Sequence, residues 1–175
     1  MAGVVNASKH CNAAIVTGAA SDIGRATVAW LRERDREVAF VAVDLPEADF
    51  DWAESDNEVV VLLGSVVSEE VNAKMVWLAE TTFGRLDHVV LNAGKPGHGD
   101  IATIDMSYAD EVFDVNVRSA VLGVRAAAPA LRRNGSDSIV LTASVSGLGG
   151  EPDRWSYCTA KAAVIALGVL PRDVG

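Results

Sequence analysis

Short apolar runs rich in β-branched residues alternate with longer segments of helical spacing along this chain of 175 residues. Most of the short runs are apolar throughout, which is typical of parallel strands buried on both faces. The pattern predicts strands at residues 13–17, 37–43, 59–63, 88–91 and 138–142. It predicts helices at residues 23–34, 69–83 and 107–133, and another from about Trp155 through Leu167. We therefore expect an α/β fold, a doubly wound parallel sheet with helices on both faces.

Prolines and glycines mark where the predicted helices weaken and where loops begin. Pro129 is expected to bend or loosen the helix at 107–133 near its end, and Gly168 or Pro171 to weaken the end of the last helix. Residues 94–100 and 147–153 are typical of loops, and both segments follow predicted strands. Ligands of open parallel sheets bind beyond the carboxyl ends of the strands, so we expect the functional site among these loops.

Composition narrows the class of protein. Half of the residues are hydrophobic, which suits a single domain over residues 1–175 with a substantial core. Acidic residues outnumber basic ones 24 to 15, and the net charge of −9 argues against a nucleic-acid partner. No apolar stretch approaches the roughly 20 residues that cross a bilayer, so we expect a cytoplasmic protein without a membrane partner. Cys11 and Cys158 have neither metal-site spacing nor a disulfide pattern; we interpret both as reduced thiols and expect no metal.

A turn with two glycines joins the first predicted strand to the first predicted helix. Residues 17–24 are Thr-Gly-Ala-Ala-Ser-Asp-Ile-Gly, and glycines there allow a pyrophosphate to approach the helix N-terminus. The glycines alone are a weak signal, because tight turns need glycine for geometry. Asp44 ends the second predicted strand, where a carboxylate either binds both hydroxyls of an adenosine ribose or only caps a turn. Because Asp44 occurs together with the glycine-containing turn, ribose binding is the better interpretation. The Asp44 carboxylate would repel a 2'-phosphate, which predicts NAD rather than NADP.

Tyr157 and Lys161 lie one turn apart on the last predicted helix, so their side chains project from the same face. A fixed ammonium group favours the phenolate of a nearby tyrosine, which suits general acid-base catalysis near neutral pH. Many helices carry such a pair without a chemical role, the tyrosine packed and the lysine solvated. The pair alone therefore favours a purely structural interpretation.

Six motifs occur in a recognisable order along the chain. They are TGAASDIG at 17–24, Asp44, Asn92-Ala93-Gly94, Asn116, Ser144 and YCTAK at 157–161. In this order they resemble the classical short-chain dehydrogenase/reductase family, and the resemblance runs from about residue 13 to residue 167. It implies a Rossmann fold and an oxidoreductase that transfers a hydride between NAD(H) and a small or medium alcohol or ketone. It also implies a homo-oligomer, a dimer or tetramer, built through residues 107–133 and the helix of Tyr157.

The resemblance assigns cofactor contacts to particular residues. The turn around the pyrophosphate is formed by Gly18, Ser21, Asp22, Ile23 and Gly24, the adenosine ribose is held by Asp44, and the cofactor floor is formed by Asn92, Ala93 and Gly94. Two positions depart from the family pattern. Asp22 stands where the family commonly has a glycine, and Ser65 stands where an acidic residue is common near the adenine. Asp22 either caps the helix, which we favour, or repels phosphate.

The resemblance also assigns a catalytic group. The family tyrosine equivalent to Tyr157 exchanges a proton with the substrate while a hydride moves to or from the nicotinamide. Lys161 favours the phenolate and holds the nicotinamide ribose, Ser144 binds the substrate oxygen, and Asn116 completes a proton relay through water. Each residue has a structural alternative: a turn-forming Ser144, a buried Asn116 amide, a surface Lys161. The occurrence of all four in family order favours the catalytic interpretation.

Family members continue past the helix of Tyr157 with further strands and a substrate-covering segment. We therefore expect a sheet that lacks its usual last strands, with the predicted strand at 138–142 as an uncovered edge. The helix of Tyr157 would then have fewer packing partners, whereas catalysis needs side chains held within about 0.5 Å of productive geometry. Two functions therefore stay open. One is the NAD-dependent oxidoreductase. The other is a truncated or degenerate relative that binds dinucleotide or partner chains without turnover.

Overall fold

The computed structural model describes residues 12–135 and 138–169, and within them five parallel strands form one sheet in the order β3-β2-β1-β4-β5. Cys11 and Pro171 lie outside the described residues. The strands are β1 (Asn12–Thr17), β2 (Val38–Asp44), β3 (Val59–Leu63), β4 (His88–Leu91) and β5 (Ser138–Leu141). The strand prediction is confirmed, since no observed bound differs from the predicted one by more than a single residue.

The helices of the described chain follow the predicted alternation. They are α1 (Asp22–Arg34), α2 (Glu69–Leu78), α3 (Met106–Phe113), α4 (Ser119–Asn134) and α5 (Trp155–Gly168). Short 3-10 turns occur at Asp51–Ala53 and Val145–Gly147. The order of strands and helices confirms the doubly wound α/β fold.

Two helical segments are less uniform than predicted. A π-helical turn, Ala79–Phe83, extends α2, and a second one, Asp114–Arg118, joins α3 to α4. Pro129 lies inside α4 without ending it, because the helix continues to Asn134. Pro129 and Arg125, one turn before it, are both exposed, so solvent can replace the backbone hydrogen bond that proline cannot donate.

The central strands are buried between two apolar layers. On one face Ile15 of β1 and Val41 of β2 pack in a cluster with Met75 of α2 and Leu131 of α4. On the other face, alternate residues of the same strands pack in a cluster with Val28 of α1. Burial on both faces explains why β1, β2 and β4 are apolar without alternation.

Strand β5 forms one edge of the sheet. It pairs with β4, and no described residue pairs with its other side. Its burial is partial, with Val140 51% exposed. Within the described residues, the expectation of an uncovered edge at this strand is therefore confirmed.

A buried carboxylate fixes the beginning of β1. Asp87 is completely buried just before β4, and its Oδ2 accepts a hydrogen bond of 2.9 Å from the Ala13 backbone N–H. The Ala13 carbonyl in turn accepts a hydrogen bond of 2.9 Å from the Asp87 N–H. Arg85 binds both carboxylate oxygens, at 2.7 Å from Nε and 2.6 Å from Nη2. Burial alone would raise the pKa of Asp87, but the Arg85 and Ala13 hydrogen bonds outweigh it and lower that pKa.

We expect Asp87→Asn to lower the free energy of unfolding at neutral pH by about 1.5–3 kcal/mol, because charge-assisted hydrogen bonds are lost inside the protein. Because the pKa of Asp87 is lowered in the folded state, its carboxylate stabilises the fold at every pH above the usual pKa of an aspartate. This contribution disappears as pH falls below about 4. Urea unfolding of both proteins across that range should therefore show a flatter acid dependence for the variant. Asp110→Asn, an exposed aspartate of α3, is the matched control; an equal effect there would contradict the assignment.

Candidate active site

A cleft of about 560 Å³ opens at the carboxyl ends of the strands. Its lining combines the turn after β1, the end of β2, the loop after β4, the loop after β5 and one side of α5. Most of the residues predicted for the site line it: Gly18, Ser21, Asp22, Ile23, Asp44, Asn92, Ala93, Gly94, Ser144, Tyr157 and Lys161. Gly24 and Asn116 do not line the cleft; each lies directly behind it and acts on its shape.

The two turn glycines are required by close backbone packing. Gly18 has a left-handed backbone with φ +67°, and a Cβ there would lie 3.0 Å from the Nδ2 of Asn92. A Cβ on Gly24 would lie 1.8 Å from the Gly18 carbonyl oxygen, an impossible contact. Gly24 therefore lets the start of α1 lie against the turn. This position explains its need for glycine without a contact to the cleft.

Asp22 is not the N-cap of α1, so the favoured interpretation of this residue is wrong. Ser21 occupies the N-cap position and makes no side-chain capping bond, while Asp22 is the first helical residue. Asp22 does have an unusual backbone, with φ +46°, in the left-handed region where glycine is most favourable. The residue type alone could not reveal this angle. Asp22 is exposed and faces the cleft, so its carboxylate lies beside the predicted pyrophosphate turn.

Asp44 ties the end of β2 to the turn after β1. Its Oδ2 accepts a hydrogen bond of 2.9 Å from the Ala20 N–H, and its Oδ1 accepts one of 2.9 Å from the Leu45 N–H. A carboxylate oxygen can accept more than one hydrogen bond, so both oxygens can still bind hydroxyl groups from the cleft. The side chain is thereby held in one orientation beside the turn.

Two threonines that the sequence did not single out shape the floor of the cleft. The hydroxyl of Thr17, at the end of β1, accepts hydrogen bonds from the backbone N–H of Asn92 at 3.0 Å and of Ala93 at 3.1 Å. Thr142, just after β5, donates its hydroxyl to Asn92 Oδ1 at 3.2 Å. Both threonines follow apolar strand residues at the carboxyl end of the sheet, which is the signal that could have identified them.

Lys161 is buried despite its charge, with only 4% of its surface exposed. Its ammonium donates a hydrogen bond of 2.8 Å to the Thr142 carbonyl and lies 5.7 Å from the centre of the Tyr157 ring. No described carboxylate forms an ion pair with it. Burial therefore lowers the pKa of Lys161, since the charged form loses solvation. The alternative of a solvated surface lysine is wrong.

Asn116 lies in the π-helical turn between α3 and α4 and is 2% exposed. Its amide group donates to the carbonyls of Lys95 at 2.7 Å and Val112 at 2.8 Å. Its Oδ1 is buried without a hydrogen-bond partner among the described residues. A cavity of about 10 Å³, close to the volume that one water needs, is lined by Asn116, Lys161 and other residues.

Gly94 keeps the space between these groups open. A Cβ at this position would lie 3.0 Å from Asn116 Oδ1 and 3.4 Å from the Lys161 ammonium. An alanine would therefore crowd both polar groups. The open floor, the unpaired oxygen and the glycines of the turn are the features that fit a bound nucleotide cofactor in this cleft.

Ser144 follows β5 and precedes the 3-10 turn. Its Oγ accepts a hydrogen bond of 3.2 Å from the Ser146 N–H and lies 3.2 Å from the Ser146 hydroxyl oxygen. The guanidinium of Arg154 lies over the Tyr157 ring, 4.7 Å from its centre. The sequence singled out neither Ser146 nor Arg154, because these contacts arise only when the loop closes on α5.

The family model of the short chain dehydrogenases matches residues 12–169. The chain belongs to this family. The Asp44 and Tyr157 motifs thus occur in a member of this family that has a five-stranded parallel sheet. Within the described residues, no helix has the length and apolar character to cross a membrane. The same residues contain no group of three or more His, Cys, Asp or Glu side chains that could hold a metal ion.

Several relatives within the family are longer than this chain. The 2-(R)-hydroxypropyl-CoM dehydrogenase of Xanthobacter autotrophicus is 36% identical over 164 residues, covering 88% of this chain and 64% of that enzyme. An uncharacterised oxidoreductase of Listeria monocytogenes is 29% identical over 153 residues, covering 86% of this chain and 62% of that protein. The crystal structure of a short chain dehydrogenase/reductase from Burkholderia phymatum in complex with NAD matches with a TM-score of 0.83 at 27% identity, covering 91% of this chain and 58% of that one. The chain therefore spans less than two thirds of each of these proteins.

We expect Lys161→Met to raise the free energy of unfolding at neutral pH by about 1 kcal/mol, because an apolar side chain avoids the cost of burying an unpaired charge. The lowered pKa of Lys161 determines whether the free energy of unfolding rises or falls with pH. As pH rises through that lowered value the folded state loses the proton first, so the parent gains stability that the variant lacks. Denaturant unfolding at neutral and alkaline pH measures both effects. Lys74→Met, at an exposed position of α2, is the control; a loss of stability in Lys161→Met alone would contradict the expectation.

Proposed function

We propose that this short chain dehydrogenase is an oxidoreductase that transfers a hydride between NAD(H) and a small or medium alcohol or ketone. The observation that carries the proposal is the buried Lys161 ammonium beside Tyr157, which faces an open cleft at the carboxyl ends of the strands. A buried cation without a carboxylate partner is costly for stability, so its presence is best explained by chemistry at that point.

The cofactor would lie along the cleft from the turn after β1 to Lys161. Gly18 and Gly94 leave room for close approach, and the exposed apolar side chain of Ile23 offers a packing surface. When bound, a nicotinamide dinucleotide supplies or accepts the hydride of the reaction. Support for this cofactor class comes from the family and from the NAD complex of the Burkholderia phymatum relative.

Asp44 supports NAD over NADP. Its carboxylate is held at the end of β2 by the Ala20 and Leu45 N–H groups, in the orientation where ribose hydroxyls would approach. A 2'-phosphate there would meet the negative charge of Asp44, while the lysines that line the cleft, Lys95 and Lys161, belong to the loop after β4 and to α5.

The proposed roles of the catalytic residues follow from their positions. Tyr157 gives a proton from its phenol oxygen to a substrate carbonyl, or takes one from a substrate hydroxyl. The Lys161 ammonium, held by the Thr142 carbonyl, stays fixed 5.7 Å from the centre of the Tyr157 ring while the proton moves. Ser144 donates a hydrogen bond to the substrate oxygen. Asn116 offers an unpaired oxygen to a water behind Lys161.

A second candidate function is dinucleotide binding without turnover. It is favoured by the loop after β5, where Val145 is 83% and Leu148 is 79% exposed, so the described residues leave the apolar side chains beside Ser144 open to solvent. Poor exclusion of water weakens electrostatic catalysis in an open site. Binding of NAD without any formation of NADH from a panel of alcohols would favour this second function.

We also propose a homo-oligomer that uses the outer faces of α4 and α5. Val121 of α4 is 45% exposed, and Ala162 and Ala166 of α5 are exposed small residues on a helix of high mean hydropathy. Exposed apolar and small residues on two helix faces suit close packing against a second copy.

We expect Tyr157→Phe to abolish NADH formation from alcohols while NAD binding is retained, because the ring stays and only the proton-carrying oxygen is lost. Turnover is followed by NADH absorbance and binding by titration calorimetry with NAD and NADP. NAD should bind more tightly than NADP to both proteins. Tyr108→Phe removes the other tyrosine of the chain and serves as the control. Turnover of Tyr157→Phe at the parent rate would refute the role of Tyr157.

We expect Asp22→Gly and Asp22→Asn to tighten NAD binding about fivefold, because each removes a charge that faces the pyrophosphate turn and costs roughly 1 kcal/mol at 4 Å in water. Titration with NAD measures the effect, with Asp110→Asn as the control outside the cleft. The two substitutions separate charge from backbone geometry, since asparagine also tolerates left-handed angles. Tighter binding by Asp22→Gly alone would assign the effect to the backbone at φ +46° instead.

A further inference from the structure

We propose that Glu151 is a positioning residue that holds Ser144 and Tyr157 in one arrangement through two hydrogen-bonded arms. The inference rests on the proposed function, because it assigns a task to a residue outside the proposed catalytic group. Glu151 lies in the loop between the 3-10 turn and α5, and its two carboxylate oxygens bind different partners.

The first arm leads to Ser144. Ser146 donates its hydroxyl to Glu151 Oε1, and its own oxygen lies 3.2 Å from the Ser144 hydroxyl. Because the Ser146 proton is directed to Glu151, Ser146 can only accept from Ser144. The Ser146 N–H donates to Ser144 at 3.2 Å and occupies one of its lone pairs. Ser144 therefore keeps its own hydroxyl proton, and this single proton turns from Ser146 to the substrate oxygen when the proposed contact forms.

The second arm leads to Tyr157. Arg154 donates from Nη1 to Glu151 Oε2 at 2.7 Å, and its guanidinium lies 4.7 Å from the centre of the Tyr157 ring. The Arg154 carbonyl accepts the Cys158 N–H at 2.9 Å, a hydrogen bond that closes the first turn of α5. Glu151 thus orients the cation over the ring and fixes the point where the Tyr157 helix begins.

Beyond two backbone hydrogen bonds, from the Gly99 N–H to the Asp153 carbonyl at 2.7 Å and from the Arg154 N–H to the Glu151 carbonyl at 3.2 Å, the loop provides little other restraint. Gly149 and Gly150 precede Glu151, and no atom would contact a Cβ on either glycine. Asp153 has a left-handed backbone with φ +54°. Such a segment needs side-chain anchors, and Glu151 provides contacts in both directions along the chain. The Ser146 and Arg154 hydrogen bonds, in that order, lower the pKa of Glu151, with the charges of Arg154 and His98 as smaller contributions. The acceptor-only carboxylate is therefore the form that both arms favour.

The first test measures turnover of alcohol with NAD by Glu151→Gln. Its single amide oxygen cannot accept from both arms, so we expect kcat to fall between about 10- and 100-fold while the NAD dissociation constant stays unchanged. Asp153→Asn makes the same charge change in the same loop, at a side chain that forms no hydrogen bond with the described residues, and should retain the parent kcat. An unchanged kcat in Glu151→Gln would overturn the proposal.

A second test needs no turnover and separates this inference from the proposed function. The chain has two tyrosines, so selective labelling of tyrosine rings gives NMR signals that Tyr108→Phe assigns. Ser146 makes no hydrogen bond with Tyr157 among the described residues, yet we expect Ser146→Ala to shift the Tyr157 ring signal through Glu151 and Arg154. In a Glu151→Gln background the same substitution should cause no further shift.

The outcomes of the two tests are distinguishable. A parent protein without NADH formation would refute the proposed function, and the NMR comparison alone would then decide the role of Glu151. If the Tyr157 ring signal does not shift in Ser146→Ala, the proposed coupling between the two arms is wrong, whether or not the parent protein turns over alcohol. Circular dichroism of each variant verifies that the fold is retained.

Discussion

The Lys161 ammonium has lost its solvent and has a backbone carbonyl, rather than a described carboxylate, as its hydrogen-bond acceptor. The arrangement of the cleft depends on this contact. It ties α5 to the end of β5 through the Thr142 carbonyl and places a positive charge beneath Tyr157. The opposite wall has to accommodate that charge, which explains the glycine at position 94 and the unpaired oxygen of Asn116. A lysine that only contributed to stability would be a poor choice here, since burial of its charge opposes folding.

The fold supplies the rigidity that this costly group requires. β1, β2 and β4 are apolar on both faces, and packing against α1 on one side and α2 and α4 on the other buries them. Their carboxyl ends are joined across the sheet by polar side chains, with Thr17 binding the segment after β4 and Asp44 binding the turn after β1. These hydrogen bonds between strand ends hold the floor of the cleft in place.

The pattern of apolar residues was sufficient to predict the sheet, because strands buried on both faces leave a continuous signal. The bounds of β3 and β4 agree with the observed ones for this reason. The positions of Asp44 at a strand end and of Tyr157 and Lys161 on one helix face could be predicted from spacing, whereas their proposed roles came from the resemblance to the family. Asp22 was misassigned, since a left-handed φ depends on how the turn packs against its neighbours and not on the residue type. Thr142 and Arg154 escaped notice because their partners come from another strand, helix or loop.

Because β5 is an edge strand, the local stability of the backbone differs between the two sides of the cleft. β5 shares backbone hydrogen bonds with β4 alone among the described residues, whereas β1 is paired on both sides. In native-state hydrogen exchange, amides of such an edge open at lower free energy than those of the sheet centre. Thr142 directly follows this strand, so the anchor of the buried lysine lies at an edge of the sheet rather than at its centre. Fraying of β5 would release the ammonium to water, and local opening of the edge would thereby switch the charge beneath Tyr157 between a dry and a hydrated environment.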